Sequence, residues 1–197
     1  MRQFSTYAFL DGGYLRERSK SAGLPWADPH RLAMLLCGRN DARSSENPSL
    51  GNDALLLQRT VYYDGVADDQ ADIDEDLRTY WQAIELLPDT HLGFGSVKRT
   101  PGGIRRQKGV DTLLTVEMLS GAFDKLFDLV LLVAGDADFV PLLLEVRRRG
   151  VHLVLAADPA HVSDDLKRVC DRFVPFAANA IPALEVDGRV WKSRPTA

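Results

Sequence analysis

Four aspartates stand where the chain changes from strand to helix: Asp11, Asp111, Asp136 and Asp138. Asp11 follows the strand-like run Thr6 to Leu10. Asp136 and Asp138 follow the continuous apolar run Leu129 to Ala134, which Gly135 stops. Asp111 opens the helix-periodic segment Val110 to Phe123. Converging carboxylates repel one another, and a cluster without a cation is costly. All-oxygen donors suit Mg²⁺ or Mn²⁺ rather than zinc. An ion held this way lowers the pKa of bound water and stabilises the charge that develops in phosphodiester cleavage. Each aspartate also has a plainer reading, as turn residue or as a charge at a helix N-terminus. Their recurrence at three separate junctions argues for a metal site.

The elements that must position them alternate β-α-β-α. The stretch from Lys125 to Ala157 organises the rest. The run Leu129 to Ala134 lacks the alternation of a half-wet strand and suits a parallel strand covered on both faces. Phe139, Leu142, Leu143 and Val146 recur at helical spacing until Gly150, and Val151 to Ala156 is a second apolar strand. Before this unit come strands at Thr6 to Leu10, Ala54 to Tyr63 and His91 to Lys98. Gly12 and Gly13 are expected to turn the chain into a short helix that starts at Tyr14. A second helix runs from His30 to Cys37 behind an Asp28 cap and Pro29, and another from Asp72 to Leu87. After the unit come a helix in "HVSDDLKRVCDRF", with Ser163 as its cap, and an edge strand from Phe173 to Phe176.

This order predicts an α/β fold, a three-layer α/β/α sandwich with a mainly parallel, Rossmann-like sheet. Residues 1–177 form the domain. Residues 178–197 read as a tail with a short hairpin at Asp187–Gly188. In such sheets chemistry sits at the carboxyl edge near the switch point. Topology therefore gathers the four carboxylates there if the first strand neighbours the Leu129 strand. The polar segment from Arg39 to Asp53 reads as an insertion rather than a lid.

With 197 residues, 45% hydrophobic and 26% charged, the chain is long enough for one sizeable core. A net charge of −4 speaks against a protein whose main task is coating nucleic acid. It leaves room for an acidic metal site with a local basic rim. Cys37 and Cys170 match no metal spacing and are expected as thiols in a reducing compartment. No segment is apolar enough for a signal peptide or a membrane span, so a cytoplasmic protein is expected.

The pieces "FLDGGYL", "VYYDG", "KGVDTLLTVEML", "LLVAGDADFVPLLLEVRRRGVHLVLAA" and "VSDDLKRVCDRF" together resemble the NYN domain family. More narrowly, they resemble its LabA-like (DUF88) branch, related to the PIN nucleases. The resemblance runs from about Tyr7 to Phe176. It implies a PIN-like fold and a Mg²⁺- or Mn²⁺-dependent ribonuclease, with Asp11, Asp111, Asp136 and Asp138 as the acidic catalytic and metal positions. The expected substrate is single-stranded RNA, cut by water attack on the phosphate to leave a 5′-phosphate and a 3′-hydroxyl, as the resemblance implies. The chain departs from the family pattern in several places. Tyr14 stands where Asn is common, and Ala134 and Ala137 stand where serines are common. Glu117 replaces a frequent Asp and lies roughly 240° round a helix from Asp111.

Lys108, Arg105 and Arg106 flank the Asp111 junction and are the candidate contacts to an RNA backbone, with Tyr14 a candidate for stacking on a base. Trp26 offers the same chemistry but fits core packing better. Arg147 to Arg149 lie at the far end of their helix, where cations are favourable without any ligand. His91, His152 and His161 make no metal cluster and no Ser-His-Asp order. A phosphatase of the haloacid dehalogenase type needs Asp-x-Asp after the first strand, where this chain has Asp11-Gly12-Gly13. A dinucleotide-binding domain needs a Gly-x-Gly-x-x-Gly that is missing. The competing reading from another class is a catalytically weak RNA- or protein-binding module that works through a partner. A homodimer or a protein partner fits either reading.

Overall fold

The computed structural model describes residues 2–24, 26–38, 54–67, 75–99, 105–186 and 189–190. The segment 39–53, the start of the helix expected from Asp72, and Asp187 and Gly188 of the expected hairpin lie outside the described residues. Among the described residues nine strands and six α-helices follow one another as β1 (Gln3–Asp11), α1 (Gly12–Ser21), α2 (Pro29–Leu36), β2 (Ala54–Ala67), α3 (Glu75–Glu85), β3 (Thr90–Arg99), β4 (Arg105–Lys108), α4 (Val110–Phe123), β5 (Leu129–Val133), α5 (Val140–Arg148), β6 (His152–Ala157), α6 (Asp164–Val169), β7 (Arg172–Pro175), β8 (Glu185–Val186) and β9 (Arg189–Val190).

Seven strands form one sheet in the order β4-β3-β2-β1-β5-β6-β7. Six are parallel and the edge strand β4 is antiparallel to β3. β1 lies between β2 and β5, so the strand order reverses at β1. The expected three layers are all present. Side chains of β1 and β5 alternate between two separate cores. Ala8, Leu10, Leu129, Leu131 and Val133 face α1, α2 and α3, where they meet Leu15, Leu32, Tyr80 and Ile84. Phe9, Val130 and Leu132 face α4, α5 and α6, where they meet Leu114, Met118, Leu143 and Leu166. All five residues of β5 are buried. This explains why its sequence is continuously apolar: a strand with helices on both sides has no wet face to alternate toward. Burying each such side chain is worth about 1.5–3 kcal/mol.

The local signals act as the sequence suggests. The Asp28 carboxylate accepts the Arg31 N–H at 2.8 Å with Pro29 opening α2, and Ser163 Oγ accepts the Asp165 N–H at 3.2 Å to cap α6. One local detail differs: α1 begins at Gly12, not after a Gly12-Gly13 turn, because the Asp11 side chain already caps it.

The chain after β7 packs back on the molecule. Ile181 and Leu184 are buried in the core beneath α1 and α2. Asp28 N–H donates to the Pro182 carbonyl at 2.8 Å, and Leu184 N–H to that of Trp26 at 3.0 Å. β8 and β9 pair antiparallel, Val186 opposite Arg189, the register that a two-residue link requires.

A larger difference concerns the way to Asp111. The residues before α4 read as a loop leading out of a parallel strand, but they contain β4, which runs backward. An antiparallel strand ordinarily returns the chain to the amino edge. Here β3 overshoots. Gly93 is level with Tyr63 and hence with Asp11, and β3 continues past that level to Arg99, where it pairs with Arg105. The short β4 then brings the chain back only as far as Lys108, opposite Ser96. Gly109 turns it with φ of 91°, and α4 starts at the carboxyl edge after all. Val110 settles directly on Gly95, where a Cβ would lie 2.4 Å from the Val110 nitrogen.

Candidate functional site

Asp11 ends β1 and caps α1. Its Oδ1 accepts the N–H groups of Gly13 at 2.9 Å and Tyr14 at 3.2 Å. Asp136 does the same after β5. Its Oδ1 accepts the Asp138 N–H at 3.0 Å and starts the single 3-10 turn Ala137–Phe139. Each carboxylate thus spends one oxygen on shaping the backbone that follows it. Asp111 sits in the first turn of α4 and makes no hydrogen bond or ion pair with any described residue. Together Asp11, Asp111 and Asp136 line one open cavity of about 830 Å³ at the carboxyl edge, with Tyr14, Arg16, Arg18, His161 and Ser163 on its walls. Asp138 is not among the lining residues, but its charge acts on Asp111.

Electrostatics mark this edge as unfavourable for the bare protein. Burial pushes the Asp11 carboxyl up to about 6, against the pull of the Tyr14 and Gly13 N–H groups, and the charges of Asp111 and Asp64 add to the rise. Asp111 is raised as well, by burial first and then by Asp136 and Asp138. Like charges are therefore felt across three strand ends. The acids offer carboxylate oxygens, and Tyr14, His161 and Ser163 also stand on the cavity's walls. Among the described residues no three His, Cys, Asp or Glu side chains close into a cage tight enough to hold an ion directly. Carboxylate oxygens are the donors that Mg²⁺ takes, one or two at a time beside several waters.

The other predicted site residues divide. Tyr14 lines the cavity, but its hydroxyl oxygen accepts the Asp158 N–H at 2.9 Å, and burial raises its pKa to about 12. It braces α1 against the loop after β6. Lys108, Arg105 and Arg106 occupy β4; their side chains lie outside the described part. Glu117 turns away from the acids, hydrogen-bonded to the Tyr63 hydroxyl and 3.7 Å from His91. Trp26 stacks on Tyr80 with centroids 4.6 Å apart, which is core packing. Arg147 pairs with Asp171 at 3.1 Å, and Arg149 lies over the Phe123 ring.

Residues that the sequence left unassigned complete the site. Asp64 is fully buried beside the acids, yet it is an ion-pair partner: Arg16 Nη2 reaches it at 2.7 Å and Trp81 Nε1 at 2.9 Å. Arg18 is almost wholly buried, pairs with Glu17 at 2.9 Å and lies 3.7 Å from Asp158. No periodicity announces such partners, because they join segments far apart in the chain. Gly135 is also constrained. A Cβ there would lie 2.4 Å from the His161 carbonyl oxygen and 2.7 Å from the Tyr14 ring, so the junction before Asp136 admits no side chain.

Comparison with known proteins agrees with this architecture. No curated protein matches the chain. Among solved structures, it is similar to a protein of unknown function from Vibrio parahaemolyticus RIMD 2210633, at 16% identity and a TM-score of 0.62. The likeness covers 90% of this chain and 96% of that one, and it shows the shared fold. The NYN domain model matches residues 40–181, a span that includes Asp111, Asp136 and Asp138 and leaves Asp11 before its start. With more than half its length matched, the chain belongs to the NYN domain family, a nuclease-like module of the PIN-like superfamily.

Proposed function

We propose that this protein is a metal-dependent endoribonuclease of the LabA-like kind, acting on single-stranded RNA in the cytoplasm. The observation that carries the reading is the meeting of Asp11, Asp111 and Asp136 in one open cavity, with Asp11 held at about 6 by burial and like charge. Such a cluster favours a cation over bare water. Asp11, Asp111 and Asp136 would hold Mg²⁺ or Mn²⁺, with Asp138 acting through its charge on Asp111. When bound, the ion supplies a nucleophilic water and offsets charge on the phosphate.

The chain's own groups do the rest. The caps made by Asp11 and Asp136 fix their side chains to rigid strand ends, so the carboxylates need little reorganisation. Tyr14, tied to Asp158, holds the cavity wall in place. Arg105, Arg106 and Lys108, on the edge strand leading into α4, supply the cationic positions for an RNA backbone. Cys37 and Cys170 form no disulfide, which suits a reducing cytoplasm, and no helix among the described residues is long and apolar enough to cross a membrane.

One observation favours the second reading, an RNA- or protein-binding module with weak turnover. The residue at the usual Asn position, Tyr14, has its hydroxyl engaged by Asp158 rather than turned to a ligand. The experiment that separates the two uses labelled single-stranded RNA with Mn²⁺, with Mg²⁺ and with excess EDTA. Cleavage to 5′-phosphate products that EDTA abolishes is the expected result. Stoichiometric binding without turnover establishes the module instead, and cleavage undiminished in EDTA overturns the metal mechanism.

A further inference from the structure

The cavity that holds the acids also holds a histidine. His161 lines it, and its Nδ1 lies 2.8 Å from Asp158 Oδ2. Asp158 is well anchored. Its Oδ1 accepts the Ala160 N–H at 3.1 Å, its own N–H donates to the Tyr14 hydroxyl, and Arg18 Nη1 stands 3.7 Å from Oδ2. The Ala160 N–H first, then His161 and Arg18, hold this carboxyl below its ordinary value. Asp158 is therefore an anion that only accepts. An anionic acceptor at Nδ1 is met by an N–H there, which leaves Nε2 as the ring nitrogen open to another partner.

An Asp and a His three residues apart in a turn are often no more than turn chemistry. Here the turn closes without the imidazole, because the His161 N–H donates to the Asp158 carbonyl at 2.9 Å. The loop is also pinned to the acidic junction. Ser163 N–H donates to the Gly135 carbonyl at 2.9 Å, and the His161 backbone packs where a Gly135 side chain would be. His161 is thus held beside the residue that precedes Asp136, on the wall of the cavity, with half its side chain exposed.

We propose that His161 is the proton donor to the leaving oxygen in the hydrolysis put forward above, with Asp158 its positioning residue. As the water oxygen bonds to phosphorus, the P–O3′ bond breaks and the Nε2 proton passes to O3′, giving the 3′-hydroxyl. The proton lost by the attacking water leaves to solvent, and solvent reprotonates the imidazole. The proposal rests on the hydrolase reading.

The test compares ordinary RNA with RNA whose scissile 3′-oxygen is sulfur, both in Mn²⁺. A thiolate leaves without a proton, since its conjugate acid is far stronger than an alcohol. His161→Ala should slow cleavage of the oxygen-linked RNA by about 100-fold and leave the sulfur-linked RNA within about threefold of the parent. His161→Gln, which keeps a side chain near Asp158, should show the same split and decides the matter if the alanine variant folds poorly. Asp158→Asn should show the split at about tenfold. Equal losses on both substrates, or no loss on either, overturn the dyad while leaving the hydrolase intact. A parent inactive on both overturns the hydrolase reading itself, and this proposal with it.

Discussion

Asp11 ends β1 and Asp64 lies in neighbouring β2, one residue past Tyr63, the register partner of Asp11. Both are desolvated and pushed upward by burial. Their surroundings answer that burial in opposite ways. Asp64 receives Arg16 at 2.7 Å, Trp81 Nε1 at 2.9 Å, the Gly65 N–H at 2.7 Å and, more weakly, the Tyr62 hydroxyl at 3.4 Å. Every partner is a donor and one is a cation, so the network is built around an ionised carboxylate. Among the described residues Asp11 receives two backbone N–H groups, both on one oxygen, and its charged neighbours, Asp111 and Asp64, repel it. A buried acid whose acceptors are filled is scaffold. A buried acid that faces other acids has an unbalanced charge, and a cation is the natural remedy. Arg16 does not supply it, although it lines the same cavity, because its guanidinium is engaged by Asp64.

This contrast breaks most sharply at Asp64. Asp64→Ala leaves Arg16 and Trp81 Nε1 without their acceptor, and removing one member of a buried pair costs about 3–5 kcal/mol. Urea unfolding at neutral pH would measure it. A loss below about 1 kcal/mol, the scale of an exposed pair, would make the network dispensable and erase the distinction.

Asp11→Asn should behave in the opposite sense. Asparagine caps a helix as well as aspartate does, so the start of α1 survives while the repulsion goes. The Asp11 carboxyl is raised from 3.8 to about 6, so the folded state binds an extra proton between those values. The parent must then lose stability as pH rises through that window, whereas Asn does not titrate. The variant should match the parent near pH 3.5 and exceed it at pH 7.5 by about 1–2 kcal/mol, less than the full shift allows because neighbouring carboxylates relax. Thermal unfolding in EDTA at the two pH values reads this. Saturating Mn²⁺ should reverse the order, stabilising the parent by about 2.7 kcal/mol at a hundredfold excess over Kd and the variant far less. A variant destabilised at pH 7.5 in EDTA would make Asp11 a second Asp64.

The smallest effect concerns the basic approach to the acids. Lys108→Ala should weaken RNA binding and lower the slope of log affinity against log salt by about 0.7, the value of one phosphate contact on a single strand. A salt titration of binding in Ca²⁺ or EDTA reads it without turnover. An unchanged slope returns Lys108 to the solvated surface.

How much of this was legible beforehand varies by the range of the interaction. Leu129 to Ala134 announces a strand covered on both sides because the period of apolar residues is a local record of burial. Asp28, Pro29 and Ser163 announce helix starts because a cap spans only a few residues. The strand order is not among these local signals: that the first strand neighbours the Leu129 strand is a condition in the sequence and a fact only in the sheet. Asp111 was placed at the correct edge by a simpler route than the real one: the antiparallel β4 and the overshoot of β3 have no apolar pattern, since a short, charged edge strand needs none.

What the sequence by itself determined is the set of elements, the two-sided burial of the sheet and the presence of an acid at each strand-to-helix junction. Only the tertiary structure decided which acids are matched by donors and which face other acids. Asp11 and Asp64 carry the same side chain at nearly the same level of the sheet, and they differ by whether Arg16 and Trp81 arrive from elsewhere in the fold. The spacing of Asp158 and His161 is visible in the chain, but its meaning depends on Gly135, Tyr14 and the cavity they shape. A residue's electrostatic role is set by the sum of charges and donors around it, and most of those come from segments distant in sequence.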